Sequence, residues 1–293
     1  MLTSSITDYI GCRKGTPNAD GSYSWSAETL VLSPGSNSAW DARHACDPSV
    51  IKGVFNYNGT EYSYLMAYLG CTSNDSQENK IGLAVANDPM GPFVRVGTEP
   101  LVDFKLDPSS EVFQWGVGQA SLVSMDKAGK VWLFYTRGEV SGTKTVVREC
   151  DFSNLNAPVM SDEVKVSTSG LTNLNGKSDY MNNADFVYDP DNYRFYSASD
   201  SHPNPSDEPN NISSTFRVNY FSGTKLNVGI WQTLEQVGPD ETGWARNHNV
   251  GLVRDEYGHL YNKDYITVYY TMSKTGSQSL WSYRIYEYNI ELK

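Results

Sequence analysis

The chain has 293 residues and a formal net charge of −11 at pH 7, so its surface repels polyanions, and no basic stripe offsets that repulsion. This excludes nucleic acid as a general partner. No run approaches the roughly 18 apolar residues that a membrane-spanning helix needs. The aromatic fraction is 13% and the mean hydropathy is −0.48, values typical of many half-buried strands. We therefore expect one all-β domain, without a membrane segment, that is a monomer.

The N-terminal residues 1–39 predict two extended segments around a turn. ITDYIGCRKG and YSWSAETLVLS flank TPNADGS, which is rich in the residues that favour turns.

Residues 40–293 contain four similar units. Each unit opens with a short apolar strand headed by a small polar residue, in DPSVI, QASLV, NADFV and NVGLV, and a second strand follows. The four strand heads are Asp47, Gln119, Asn183 and Asn249, so the intervals between them are 72, 64 and 66 residues. A repeat of this kind is typical of radially stacked four-stranded sheets, which form a β-propeller.

The repeat predicts a five-bladed β-propeller of four-stranded antiparallel blades in a single domain, 1–293. Four units occupy residues 40–293, and residues 1–39 correspond to the outer hairpin of a closing blade. Three explanations of this short piece stay open. The first blade has short inner strands, or strands from the C-terminal end complete the fifth sheet, or the sequence begins inside a longer protein.

In a propeller the first strand of each blade lines the central axis, so the four strand heads should converge on one funnel. Other polar and aromatic side chains lie just before these heads and could line the funnel mouth. They are Trp40, Arg43, His44, Trp115, Trp244 and His248. Two long loops, 101–118 and 202–214, also interrupt the units; the first leads to Gln119, and the second is expected to be a flexible rim.

The phrases CDPSVI, YLMAYLG and IGLAVANDPMGPFVRV resemble the first blade of the five-bladed propeller glycosidases. These include the family 43 arabinosidases and xylosidases and the invertase and levansucrase families. The resemblance implies a glycoside hydrolase acting on a plant or microbial polysaccharide or oligosaccharide, with Asp47 as catalytic base or transition-state stabiliser. Glycoside hydrolysis needs two carboxyl groups, one of which protonates the leaving oxygen. Asp-Pro is also a common strand-entry turn, so a purely structural Asp47 is the alternative.

Asp185, two residues into the third axial strand, is the predicted second catalytic carboxylate, in a supporting role. The resemblance implies a Glu at the head of a later axial strand as general acid, and no axial strand begins with Glu. The replacements to consider are Glu149, on a predicted outer strand, and Glu111, Asp240 and Glu241, just before axial strands; the alternative for the last three is a solvated loop charge.

The resemblance further implies sugar binding by the residues around the funnel. The predicted substrate-binding residues are Gln119, Asn183, His248, Asn249, His44, Arg43, Trp115 and Trp40. Amides can bind sugar hydroxyls and aromatic rings can stack on sugars, although each Trp could instead pack between blades. No cofactor is expected, but the resemblance allows an axial Ca²⁺ held by waters and His248. The oxygen-rich segment DPDNYR is better explained as a β-turn than as a calcium loop.

An amide-rich funnel also fits a propeller that binds a glycan without cleaving it, because amides cannot serve as proton donors for hydrolysis. A protein-interaction scaffold is a third alternative, which a broad apolar surface patch would support. The four cysteines lack paired CxxC spacing, so zinc is not expected. Cys12 with Cys46, or Cys46 with Cys71, could form disulfides, and free thiols are the other interpretation. The Tyr-, Asn- and Gly-rich, Lys-poor composition favours a secreted or cell-surface bacterial protein.

Overall fold

A computed structural model describes residues 9–20, 22–72, 77–276 and 284–292. These residues form an all-β propeller with one four-residue helix. No helix among them is long and apolar enough to cross a membrane. Within the same ranges Cys12, Cys46, Cys71 and Cys150 are free thiols.

The N-terminal segment forms two short antiparallel ribbons, each of two strands. One pairs β1 with β4 and the other pairs β2 with β3. The strands are β1 (Ile10–Cys12), β2 (Gly15–Pro17), β3 (Tyr23–Trp25) and β4 (Thr29–Leu32).

Four antiparallel sheets follow, and each is one blade. The first blade contains β5 (His44–Tyr57), β6 (Thr60–Cys71), β7 (Lys80–Ala86) and β8 (Val94–Arg95). The second contains β9 (Gly116–Ser124), β10 (Lys130–Glu139), β11 (Gly142–Asp151), β12 (Val159–Met160) and β13 (Val164–Lys165).

The third and fourth blades have the same order, with the inner strand first. The third contains β14 (Asp185–Asp189), β15 (Arg194–Asp200), β16 (Phe216–Ser222) and β17 (Gln232–Val237). The helix α1 (Pro239–Thr242) leads to the fourth, which contains β18 (Arg246–Leu252), β19 (Tyr265–Ser273) and β20 (Arg284–Glu291).

Propeller architecture is therefore confirmed, while the number of blades differs from the prediction. The described residues form four blades where we predicted five, and the fourth shows three strands. The physical reason lies in the N-terminal segment, whose strands of three or four residues pair only as ribbons. Instead of pairing with the described C-terminal strands, this segment buries Ile10, Val31 and Leu32 against the first blade.

Apolar side chains between successive blades form the core. Ile51 and Leu65 of the first blade pack with Leu122 and Leu133 of the second. Phe134 stacks on Phe186 of the third blade with ring centroids 4.0 Å apart. The burial of these faces is what holds the four inner strands around a common axis.

Candidate functional site

The inner strands β5, β9, β14 and β18 surround one cavity of about 240 Å³, here called the axial cavity. Each strand contributes its polar head and the residues that follow it. The lining residues are Asp47, Pro48, Ser49, Gln119, Ala120, Asn183, Ala184, Asp185, Asn249, Val250, Gly251 and Arg254. The four heads converge on one site, as their spacing predicts.

All four heads adopt left-handed backbone conformation. The φ angles are 47° at Asp47, 56° at Gln119, 47° at Asn183 and 51° at Asn249. Asn and Asp reach this conformation more easily than most residues do, which is a local reason for their presence at three heads.

A β-bulge accompanies the head in three blades. The register between paired strands shifts across Cys46 and Ser49 in the first blade and across His248 and Gly251 in the fourth. In the second blade the same shift lies opposite Gln119, between Phe134 and Thr136. A bulge redirects side chains and interrupts pairing, so the repeated bulge turns the heads into the axial cavity.

A second cavity, of about 370 Å³, adjoins the first and is here called the rim cavity. It shares Asp47, Gln119 and Asn183 with the axial cavity. The other lining residues are His44, Cys46, Leu69, Asn79, Trp115, Asn182, Asn211 and Ile212. The loop 202–214, predicted to be a flexible rim, thus supplies two wall residues.

Trp115 forms part of the rim wall because β10 leaves room for its ring. A Cβ atom on Gly138 would lie 2.0 Å from the Trp115 indole nitrogen, closer than van der Waals contact allows. The absence of a side chain at Gly138 therefore sets how closely Trp115 lies against the second blade.

Asp185 is tied into the floor of the axial cavity. Its Oδ1 accepts a hydrogen bond from Ser121 Oγ at 2.6 Å, and its Oδ2 accepts one from the Leu252 N–H at 2.8 Å. Arg254 lies 3.4 Å from the same carboxylate. Both oxygens of this predicted catalytic group are thus engaged by the protein itself.

Arg254 connects three blades at the same floor, a role that the sequence analysis missed. Its guanidinium donates to Ser49 Oγ at 2.7 Å and to the Leu122 carbonyl at 3.2 Å, besides pairing with Asp185. The sequence holds one indication of this role, which is the position of Arg254 in the repeat. Arg254 lies five residues after the head Asn249, and the basic residue Lys52 lies five residues after the head Asp47.

The amide heads bond to one another as well as to the cavity. Gln119 Nε2 donates to Asn183 Oδ1, and the Asn183 backbone N–H donates to Gln119 Oε1 at 3.1 Å. Asn183 Nδ2 donates to Asp200 Oδ2 at 2.6 Å, so the Gln119 and Asn183 amides each have one N–H beyond these bonds within the described chain. Asp47, which is exposed, is the other polar head shared by both cavities.

Three predicted substrate-binding residues do not line either cavity. Trp40 instead stacks on Tyr68, with ring centroids 5.6 Å apart, and fills space beside Gly70 and Gly82. Arg43 precedes β5 and donates its backbone N–H to the Cys71 carbonyl. Trp40 thus packs within the first blade, and neither residue lines a cavity.

His248 is the third residue outside the cavities. Its ring is buried, and Nε2 lies 3.2 Å from Thr271 Oγ1. Burial, with the nearby Arg246 charge, lowers its pKa to about 4, although Asn249 acts in the opposite direction. His248 is therefore neutral near pH 7 and is not a proton donor to a ligand.

The carboxyl groups considered as replacement acids do not line either cavity. Glu149 is exposed on β11, and Glu111 is exposed in the loop before β9. Glu241 accepts a hydrogen bond from the Gly238 N–H at 2.7 Å at the start of α1, where Asp240 is exposed. Asp47 and Asp185 are the carboxyl groups that line the axial cavity in the described chain.

The residues around the axis do not match the ligand set of a metal ion. The His248 ring is directed at Thr271, and the described ranges hold no group of three or more His, Cys, Asp or Glu suited to a metal. Asp189 accepts hydrogen bonds from the backbone N–H groups of Asp191 and Asn192, as expected for a turn.

Comparison with solved structures places this architecture among glycoside hydrolase propellers. An endo-arabinase from Bacteroides thetaiotaomicron has a TM-score of 0.55 and 15% identity, and the match covers 99% of this chain and 87% of that one. A thermostable family-43 glycoside hydrolase gives 0.54 and 16%, covering 93% and 79%. An α-L-arabinofuranosidase from Lactobacillus brevis gives 0.58 and 9%, covering 96% and 90%.

Neither a protein-family model nor a curated protein sequence matches the chain. The structural similarity extends over nearly the whole chain at low identity, and it shows a shared fold. The chain is thus a β-propeller with the fold of these glycoside hydrolases.

Proposed function

We propose that this protein binds a plant or microbial glycan in its axial and rim cavities without cleaving it. The observation that carries the proposal is the composition of the site. Four strand heads line one cavity, three of them are amides, and Asp185 is engaged by Ser121, Leu252 and Arg254. Amides and a single exposed carboxylate can hydrogen-bond sugar hydroxyls, whereas hydrolysis also requires a proton donor.

Trp115 supports a sugar as the ligand. Its ring lines the rim cavity beside Asp47 and Gln119, so a flat apolar surface lies next to polar groups. Pockets that combine these two features suit ligands with an apolar face and a polar edge. The rim cavity of about 370 Å³ falls in the range typical of small-ligand sites.

Glycoside hydrolysis is the second candidate, favoured by the presence of Asp47 and Asp185 in the same cavity. In that mechanism Asp47 would act as base and Asp185 would support it, and neither cavity has a further carboxyl group in its described lining to protonate the leaving oxygen. The arabinan-directed names of two structural neighbours make arabinan a first substrate to examine. A secreted or cell-surface location and a monomeric state belong to the same proposal.

A panel of arabinan, xylan and fructan oligosaccharides and aryl glycosides separates the candidates. Binding is measured by calorimetry and turnover by chromatography of the products. We expect binding without turnover, and about 10-fold or greater loss of affinity in Asp47→Asn, because a hydrogen bond to a charged group contributes roughly 1.5–3 kcal/mol. Asn tolerates the left-handed conformation at position 47, so this substitution changes the charge and spares the backbone.

Asp162→Asn, at an exposed position outside both cavities, is the matched control for charge. Turnover that disappears in Asp47→Asn would establish the hydrolase instead. If no member of the panel binds or is cleaved, both candidates are wrong.

A further inference from the structure

A buried carboxyl group lies directly behind the amide heads of the axial cavity. Asp200 is the last residue of β15 and is 4% exposed. Its Oδ2 accepts a hydrogen bond from Asn183 Nδ2 at 2.6 Å. The backbone N–H of Asn249 also interacts with this carboxylate, so Asp200 contacts the heads of two inner strands without lining the cavity.

Asp200 determines which way the Asn183 amide faces. An ionised carboxylate only accepts hydrogen bonds, so the amide must turn its NH₂ group to Asp200 and its oxygen elsewhere. That oxygen accepts from Gln119 Nε2, which requires the Gln119 oxygen to face the Asn183 backbone N–H. The side chains of Asp200, Asn183 and Gln119 therefore form one hydrogen-bonded series in which the orientation of each amide follows from the one before it.

The electrostatic surroundings make the charge on Asp200 sensitive to pH. Burial raises its pKa to about 7, against the hydrogen bond from Asn183 and the charges of His202 and Arg217. The side chains of His202 and Arg217 both contact Asp179, at 2.9 Å and 2.8 Å. Tyr180 is a further titratable neighbour of Asp200. Burial and the charges of Asp179 and Asp200 raise the pKa of its hydroxyl.

A site for the added proton is present. Asp200 Oδ1 is buried and has no hydrogen-bond partner within the described part of the chain. Protonation there would leave Asn183 in place but convert its bond to Oδ2 from a charge-assisted to a neutral one, which is roughly half as strong.

We propose that Asp200 is a positioning residue of the axial site, which holds the Asn183 and Gln119 amides in one orientation and loosens this hold when it takes up a proton. In the ionised state the two amides keep their free N–H groups available as donors next to the Asp47 acceptor. The consequence for a ligand rests on the proposed glycan binding, but the orientation of the amides does not.

The test without ligand is a pH titration of the ¹⁵N-labelled protein between pH 5.5 and 8.5. The side-chain amide signals of Asn183 and Gln119 are assigned by their absence in Asn183→Asp and Gln119→Glu. We expect both signals to shift with a common midpoint near pH 7. In Asp200→Asn the Gln119 and Asn183 signals should no longer titrate. In His202→Gln they should still titrate, with the midpoint moved to higher pH because a charge that lowers the pKa of Asp200 is removed.

Amide signals that do not titrate in the wild type would overturn the proposal, as would a titration that survives Asp200→Asn or disappears in His202→Gln. The wild-type and His202→Gln measurements decide the matter even if Asp200→Asn does not fold.

Arabinan oligosaccharides serve as the second probe. If they bind, we expect Asp200→Asn to weaken binding about 5- to 10-fold and to remove the rise in wild-type affinity as pH increases from 6 to 8. An unchanged affinity and pH profile would remove the link to the ligand. If neither they nor any other member of the glycan panel binds, the proposed function is contradicted, while the amide titration still tests the role of Asp200.

Discussion

Asp185 and Arg254 show how a predicted catalytic side chain can serve the architecture. The pair lies at the floor of the axial cavity, with 18% and 14% of the two side chains exposed. Ser49 and Ser121 complete the hydrogen bonds of the pair, so the pair connects three inner strands. Because charges in such surroundings are costly when unpaired, each partner depends on the other.

Replacing Arg254 by Met should therefore destabilise the protein by roughly 3 kcal/mol, since Asp185 would lose its cation while remaining largely buried. Urea unfolding followed by tryptophan fluorescence measures the change. Lys52→Met is the matched control, at the same register of the first unit. Its partner Glu256 lies on the surface, so we expect its unfolding midpoint to stay near that of the wild type. Equal effects of the two substitutions would contradict the structural role of Arg254.

At the scale of the strand, the four units share a backbone conformation at the strand head as well as a sequence pattern. All four heads have positive φ, and three of the four blades show a register shift at the head. Polar character at these positions thus has two sources, the left-handed backbone and the cavity. Of the four, Gln119 is the residue type least suited to this conformation, and its amide bonds to Asn183.

Two substitutions at Asn249 separate backbone from side chain. Asn249→Gly and Asn249→Ala both remove the amide, but only Gly accepts φ 51° without strain. We expect Ala to be less stable than Gly by about 1 kcal/mol in urea unfolding.

Glu287→Gly and Glu287→Ala are the control, because Glu287 is an exposed residue of the regular strand β20. There Gly should be the less stable variant, because it loses more conformational freedom on folding. The same order at both positions would show that the left-handed backbone is not the determinant.

At the scale of the whole molecule, four blades and an N-terminal segment share the burial of apolar surface. The segment is held to the first blade by Asp41, which is fully buried. Asp41 accepts hydrogen bonds from Tyr68 at 3.0 Å and from Arg95 at 2.8 Å, and Arg95 also donates to the Ser33 carbonyl. Burial and the Asp41 charge raise the pKa of Tyr68, so this hydroxyl stays a donor.

Asp41→Asn should lower the midpoint of thermal unfolding by roughly 5 °C. The amide keeps one acceptor but loses the charge that pairs with Arg95, and a loss of about 2 kcal/mol corresponds to a shift of this size in a chain of this length. Asp20→Asn, in the exposed turn of the ribbon, should leave the midpoint unchanged. Calorimetry checks both, and an unchanged midpoint in Asp41→Asn would show that the segment is held by apolar contacts alone.

The strand pattern could be predicted from the sequence because it is local and repeated. Asp47, Gln119, Asn183 and Asn249 each precede a run of apolar residues, and the intervals between them identify the four inner strands and the cavity they share. Strand periodicity depends on residues that are neighbours in the sequence, so strands can be recognised without knowledge of the fold.

The tertiary structure decided what depends on contacts between distant residues. Trp40 precedes an axial strand and His248 precedes the head Asn249, but both side chains pack within a blade. The N-terminal ribbons pack on the first blade instead of completing a fifth. Arg254 and Asp200 act on partners from other strands of the ring, at distances that no spacing in the sequence encodes. A repeat defines which strands reach the axis, while hydrogen bonds across blades define what the axis can bind.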